Sequence, residues 1–423
     1  MKPRSLLLAA LAALLFLPAI SAAHAQDKFH LKDGARGKIC LQCHVAFEEG
    51  LKKPFVHTPV KEGSCVDCHS PHTSSHGKLL AAESDAICGN CHEGMAPKTA
   101  VSVHPPVAGG HCIECHDPHA SENRNNLVRA GNELCAGCHK DIVQRAAQAK
   151  FAHSPVAKSC LTCHDAHASE TSGSLLRKPV PDLCTSCHKT DQASFKSQHM
   201  GYPVGTAKCT SCHDPHGSDN RGILWANVHQ PLLNKMCSQC HVDASSPDPL
   251  KTRKAGFEIC RGCHSDVLNE ISTSSRVHWP AVNAVACLNC HSPHASKQEH
   301  LLVKPVKPLC GTCHQAMMES LEKAAVKHPP AEDGECATCH SPHASNTVFL
   351  LNESGIIEQC GSCHDWKNHT THPLGEKAID PRNKNLTVDC MSCHQPHGSP
   401  FKAFTLKNPD SDLCVQCHAG EGR

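Results

Sequence analysis

Apolar residues are thinly spread along this 423-residue chain, except at the N-terminus, where Leu6 to Ile20 is an almost unbroken apolar run. Lys2 and Arg4 precede the run, and Ala23-His24-Ala25 follows as a small-residue cleavage site. This is the pattern of a secretory signal over residues 1–25, leaving a chain that starts at Gln26. The run is short for a membrane span and has signal-like flanks. The cleavage site carries no cysteine, which argues against a lipoprotein anchor, and no later stretch is apolar enough to cross a bilayer. Beyond the signal, apolar positions recur at three- and four-residue steps only in short stretches, such as 141–150 before His153 and 316–327 before His328. Each predicts a short helix, stopped by the His-x-Pro or His-Pro that follows. No run alternates with a period of two. With 29 prolines and 26 glycines, the remainder reads as turns and loops, with almost no sheet.

This pattern leaves the chain without a conventional core, since aromatic residues make up only 3% of it. What replaces the core is visible in the cysteines. All 32 fall in Cys-x-x-Cys-His, giving sixteen motifs with none left over. The thiol pairs are Cys40 and Cys43, Cys65 and Cys68, Cys88 and Cys91, Cys112 and Cys115, Cys135 and Cys138, Cys160 and Cys163, Cys184 and Cys187, Cys209 and Cys212. They continue as Cys237 and Cys240, Cys260 and Cys263, Cys287 and Cys290, Cys310 and Cys313, Cys336 and Cys339, Cys360 and Cys363, Cys390 and Cys393, Cys414 and Cys417. The motif is the attachment signature of c-type haem: two thiols form thioethers to the porphyrin, and the adjacent histidine binds the iron. Zinc ribbons do not demand a histidine after every second cysteine. A disulfide framework would not keep one spacing, and a thioredoxin-like motif occurs once or twice. The reading is sixteen covalent haem c groups, with about 25 residues for each, where an ordinary domain needs about 100–150 for one core. The haems must therefore pack on one another, with the polypeptide as wrapping. The formal charge of +1 gives no basic patch for nucleic acid.

The motifs alternate between two kinds. The first kind usually follows an apolar residue, as at Ile87-Cys88 and Leu309-Cys310; Gln359-Cys360 departs from this, and Met236-Cys237 and Leu413-Cys414 are counted with it. The second kind opens at Cys65, Cys112, Cys160, Cys209, Cys287, Cys336 and Cys390 and usually continues as Cys-His-x-Pro-His. Two motifs in roughly 48 residues is a repeat period that marks an array. The stretch Val242–Phe257 contains Ser-Ser-Pro-Asp-Pro and no histidine. It is expected to join a nine-haem half, 26–241, to a seven-haem half, 258–423. The chain resembles the doubled-CXXCH-motif multihaem cytochromes, among them the periplasmic decahaem electron conduits of metal-reducing bacteria. The resemblance covers nearly the whole chain after the signal. It implies bis-histidine haems and electron transfer, often to or across the outer membrane, although sixteen motifs exceed the ten of those decahaem conduits, so their partner assignments do not carry over. The expected fold is thus a multihaem cytochrome c, mostly irregular with short α-helices, forming an elongated haem-cored array of two-haem repeats.

The proximal iron ligands are the motif histidines His44, His69, His92, His116, His139, His164, His188, His213, His241, His264, His291, His314, His340, His364, His394 and His418. Setting these and His24 apart from 37 histidines leaves 20 for sixteen distal sites. Seven close Cys-His-x-Pro-His or its variant: His72, His119, His167, His216, His294, His343 and His397. None can bind its own motif's iron. Opposed ligands need Cα atoms roughly 12 Å apart, and three extended residues span at most about 11 Å. Each must serve a neighbouring haem. Seven more precede the next motif: His57, His104, His153, His199, His278, His328 and His372, with His369 competing for the last place. His76 and His300, each before a Leu-Leu, complete the set of sixteen, with His30 and His229 as alternatives; His111, beside Cys112, is too constrained.

A closed set of axial ligands points to an electron-transfer protein and away from an enzyme. A multihaem reductase of nitrogen or sulfur oxyanions would need an open iron. Such enzymes often carry lysine in place of an attachment histidine, and every motif here ends in histidine. A filament stacking haem to haem is a third reading. The expected partners are other redox cytochromes, with an outer-membrane porin as a candidate. The expected location is the periplasm, the outer membrane or beyond, and the lone motifs at Cys40 and Cys414 are candidates for the end sites.

Overall fold

The computed structural model describes residues 37–366 and 372–418. The signal segment, His30 and His369 lie outside the described residues. The chain forms two compact units, residues 37–137 with Ala166–Glu170, and Cys138–Asp165 with 171–418.

Among the described residues the longest helices have nine residues: Lys140–Gln148, Ser265–Thr273 and Gln315–Lys323. Each starts directly after a motif histidine and is too short to be stable by propensity alone. The helices expected over 141–150 and 316–327 are therefore present but end early, at Gln148 and Lys323. The reason is that the following residues are extended and paired. β1 (Phe55–Val56) pairs with β3 (Ala120–Ser121), and β2 (Ser102–Val103) with β4 (Ala168–Ser169). β5 (Asn227–Val228) pairs with β7 (Ala295–Ser296), β6 (Arg276–Val277) with β9 (Ala344–Ser345), and β8 (Val326–Lys327) with β10 (Gly398–Ser399). All are antiparallel two-residue ladders. Each ties the residues just before one Pro-flanked histidine to the residues just after a Cys-His-x-Pro-His turn or its variant.

The prolines also act differently from expectation. They open the next helix instead of closing the last one. His57 precedes Thr58–Lys61, His104 precedes Pro105–Ala108 and His328 precedes Pro329–Asp333, each with proline in the first turn. There proline's fixed φ suits the helix and its missing N–H has no partner to lose.

Buried apolar side chains are few and mostly small: Ala120, Ala286, Ala295, Ala344 and Ala378, with Tyr202, Leu268, Leu321 and Leu351. Meanwhile Val66, Ile113, Leu161, Leu288 and Val415, each the second residue of a motif, stand about half exposed on the polypeptide. The chain thus keeps apolar surface at its motifs for something other than its own side chains to cover.

After each second-kind motif the chain returns in a loop that bridges back to the motif histidine: His69 to Leu80, His116 to Leu127, His291 to Leu302, His340 to Leu351. The stretch expected to join two halves is one of these loops. His241 bridges to Thr252, Val242 N–H donates to the Lys251 carbonyl at 3.0 Å, and Arg253 N–H donates to that of Cys240 at 2.8 Å. The β5–β7 ladder spans it, so the repeat runs through Val242–Phe257 without a break. The motif at Cys237, grouped by its preceding methionine with the first kind, accordingly has the second kind's return loop.

Candidate metal centres

Among the described residues, a second imidazole faces the attachment histidine at thirteen motifs. In the first unit the pairs are His57 with His92, His69 with His119 and His116 with His167, each with ring centres 6.0 Å apart. In the second unit His153 faces His188 and His164 faces His216 at 6.1 Å, His199 faces His213 at 6.2 Å, and His229 faces His264 at 6.1 Å. His241 faces His294 at 6.0 Å, His278 faces His314 at 6.2 Å and His291 faces His343 at 6.3 Å. His328 faces His364 at 6.0 Å, His340 faces His397 at 6.1 Å and His372 faces His418 at 6.0 Å. Ring packing alone ranges over about 4.5–7 Å and would not hold one separation through every pair. This separation is what two imidazoles need to hold one metal between them, since two nitrogens each about 2 Å from a metal set the ring centres about 6 Å apart. The residues present therefore fit a bis-histidine haem c.

Backbone carbonyls fix which nitrogen is offered. On the attachment side, Nδ1 of His69 donates to the Lys78 carbonyl at 3.0 Å, His116 to Asn125 at 2.8 Å, His164 to Ser174 at 2.8 Å and His213 to Gly222 at 2.7 Å. The same bond joins His291 to the His300 carbonyl at 2.8 Å, His340 to Phe349 at 2.7 Å and His394 to Ala403 at 2.8 Å. Those acceptors share a positive φ, including 58° at Asn125, 72° at Gly222 and 52° at His300. The left-handed turn aims each carbonyl at the ring. On the opposite side, Nδ1 of His57 donates to the Pro118 carbonyl at 2.9 Å, His104 to Ala166 at 3.1 Å and His153 to Pro215 at 2.7 Å. His229 and His278 do the same to Pro293 and Pro342, both at 2.8 Å. A carbonyl on Nδ1 fixes the proton there and leaves the Nε2 lone pair for iron.

Burial pushes His119, His167, His216, His294, His343 and His397 below the ordinary histidine range. It keeps them neutral, as a metal ligand must be. The turns that carry them are tied down locally: Asp117 accepts from the His119 N–H at 2.9 Å and Asp214 from that of His216 at 3.0 Å. A serine two residues after each such histidine bonds the return loop, as Ser345 does to the Leu351 carbonyl at 2.7 Å and Ser399 to that of Thr405 at 2.6 Å. The recurring Pro-His-Ala/Gly-Ser in the sequence could have revealed this lock.

The thiols show which motifs adjoin. Burial and the hydrogen-bonded thiol of Cys112 push Cys88 up to about 11, and Cys209 acts likewise on Cys184 and Cys287 on Cys260. Hydrogen bonding to Cys336 and Cys390 raises Cys310 and Cys360. At the other edge, burial raises Cys68, Cys163, Cys240, Cys290, Cys339 and Cys393. The second thiol of the next motif adds to the rise in each: Cys91, Cys187, Cys263, Cys313, Cys363 and Cys417. Within each unit, consecutive motifs meet in sequence order, first thiol to first thiol, then second to second. Between Cys212 and Cys237 the second thiol meets a first one.

Twelve of the sixteen expected ligands stand in the pairs above and His104 carries the same Nδ1 bond as its counterparts, whereas His72, His76 and His300 are placed otherwise among the described residues. His72 is exposed. His76 turns its Nδ1 to Glu83 at 3.1 Å. His300 serves His291 through its carbonyl. His76 and His300 are also not equivalent positions. His76 donates its N–H to Ser74 as Gln298 does to Ser296, both at 2.9 Å, so His300 matches Lys78. His229, an alternative in the sequence, holds a facing position instead. Its signal was a 35-residue interval to His264, the same as from His57 to His92 and from His153 to His188. His111 lies beside Glu114 at 3.2 Å. His44 faces no second ring among the described residues.

Comparison with known proteins places the motifs in a family. The family described as Doubled CXXCH motif matches eight segments: 57–97, 104–144, 153–193, 202–228, 229–268, 278–319, 328–369 and 383–423. The chain is also 30% identical over 186 residues to the Multiheme cytochrome MtrA of Shewanella baltica (strain OS185), over 42% of this chain and 54% of that protein. The chain thus spans about half the length of that relative.

Proposed function

Because the chain belongs to the doubled CXXCH motif family of multihaem c-type cytochromes, we propose that it is an exported electron carrier with sixteen haem c sites in series, fourteen of them bis-histidine. The observation that carries this reading is the thirteen facing imidazole pairs at metal-spanning distance. Bound haem c supplies a one-electron iron couple at each motif. The chain's residues would hold such a group between two imidazoles, fix the ligand tautomer through backbone carbonyls, and keep consecutive motifs side by side in sequence order within each unit. The prevalence of paired imidazoles favours electron transfer over a reductase, which needs an open iron.

The proposed distal set keeps the histidines expected from the sequence, except that His229 takes a place and His76, His300 and His72 give theirs up. His104 stays in the set because its ring and backbone carry the same bonds as those of His57: its N–H donates to the His167 carbonyl at 2.8 Å, as that of His57 does to His119 at 2.9 Å. The signal pattern supports export to the periplasm, and the described residues contain no helix long and apolar enough to cross a membrane. The partners are then other redox cytochromes, with a porin as the route to an outer-membrane or extracellular acceptor.

The test is to reduce the protein fully and offer either a ferric chelate or nitrite and tetrathionate. The chelate should reoxidise the whole α-band, while the oxyanions are not turned over. Oxyanion consumption at the rate of haem reoxidation would replace this reading with the reductase.

A further inference from the structure

We propose that the site built on Cys209 and Cys212 is electronically unlike the others, because its two axial imidazoles are crossed, and that His199 is the positioning residue that crosses them. In the twelve other facing pairs given above for the described residues the ring planes meet at 15° to 45°. His199 and His213 meet at 69°.

The sequence explains why this site departs. A second-kind attachment histidine is regularly faced by the histidine three residues past the next second-kind motif's own, as His164 is by His216 and His291 by His343. For His213 the next such motif ends at His241, and three residues on stands Ala244. The ligand that the repeat would supply is missing. The segment carrying His199 occupies its place: a side chain on Gly201 would meet the Ala244 methyl at 3.6 Å. Tyr202, buried, donates its hydroxyl to the Val242 carbonyl at 3.0 Å and sets its ring edgewise to His241.

The different origin sets a different ring angle. His57, His104, His153, His229 and His278 hang from a carbonyl of a neighbouring Cys-His-x-Pro turn or its variant. His199 instead ends the helix Ala193–Gln198 and donates Nδ1 to the Phe195 carbonyl of that same helix at 2.8 Å. The Phe195 ring lies against it at 4.3 Å. The helix therefore governs the rotation of the imidazole, and the usual ladder does not.

Each axial imidazole raises the iron dπ orbital that lies perpendicular to its own plane. Near-parallel planes act on the same orbital and split the pair. Crossed planes act on different orbitals and leave the pair nearly degenerate. In the ferric state that leaves more orbital angular momentum and a larger spread of g values. Axial ligands are a principal lever on a haem's electronic state.

The inference rests on the axial pairing proposed above, and electron paramagnetic resonance of the oxidised full chain tests the two separately. The expected spectrum has one low-field feature at distinctly higher g than the main low-spin signal, integrating to one haem in sixteen. His199→Ala should abolish it and add one high-spin haem. His199→Ala with Ala244→His should restore a low-spin haem without the low-field feature. An ordinary low-spin spectrum lacking the feature, or a feature that survives His199→Ala, would overturn the crossed site and leave the pairing intact. High-spin signals from most haems would overturn the pairing itself.

Discussion

Replacing His294 with alanine should open one iron and leave the other sites unchanged. His294 faces His241 with ring centres 6.0 Å apart and planes at 19°. Its peptide carbonyl accepts from the His229 N–H at 2.8 Å, and β5 and β7 pair through peptide groups alone. Those bonds survive the substitution, as does the bond from His229 to the Pro293 carbonyl. The change therefore removes a largely buried ring and little else, at a cost of about 2–4 kcal/mol in local packing. Thioether attachment at Cys237 and Cys240 does not depend on the distal ligand, so the haem stays. The reduced variant should bind one more equivalent of carbon monoxide than the parent, with one haem in sixteen turned high-spin. His300→Ala is the control. It keeps the carbonyl that His291 uses and should leave every spectrum unchanged. The reasoning fails if His294→Ala binds no additional carbon monoxide, or if His300→Ala opens a site.

Three other outcomes follow from named contacts. Ser399 is fully buried, donates to the Thr405 carbonyl and accepts from the Phe401 N–H at 2.9 Å. Ser399→Ala should cost roughly 1–3 kcal/mol and speed hydrogen exchange at Phe401 about tenfold to a hundredfold; an unchanged rate would mean the serine lock carries no stability. Arg382 holds the buried Asp380 carboxyl down at about 2 through hydrogen bonds. A folded value below the unfolded one, about 3.9, gives stability that is present above that value and lost as pH falls through about 2. The loop carrying Asp380 should stay protected from exchange at pH 3 in the parent and lose that acid-range protection in Asp380→Asn; equal profiles would refute this. Intact-protein mass after loss of residues 1–25 should exceed the polypeptide by sixteen haems, and fewer would leave some motifs unused.

The attachment chemistry was legible because it is local: two thiols and a histidine at fixed spacing must share one turn. The mostly irregular fold followed from the few aromatics and the absence of any alternating run. Reach along the chain also separates Cys-His-x-Pro-His histidines from their own iron, and the structure sets His119 opposite His69 and His216 opposite His164. Less was legible where backbone direction matters more than residue type. The turn at His300 can hold Lys, Asn, Gly, Phe or Ala at matching positions because only its carbonyl is used. A histidine there reads as a ligand in the sequence, whereas the contact it makes to His291 is through its carbonyl. The stretch after His241 looked like a joint because it lacks histidine, yet its hydrogen bonds are those of a return loop. The same lack, at Ala244, is what redirects His199.

Carbon monoxide titration of the fully reduced wild-type protein tests the central claim most directly. If each of the thirteen facing imidazole pairs among the described residues holds an iron, at most three of sixteen would be open. Saturation at three equivalents or fewer per chain is the predicted result. Rapid binding of four or more would contradict the closed, electron-carrying array.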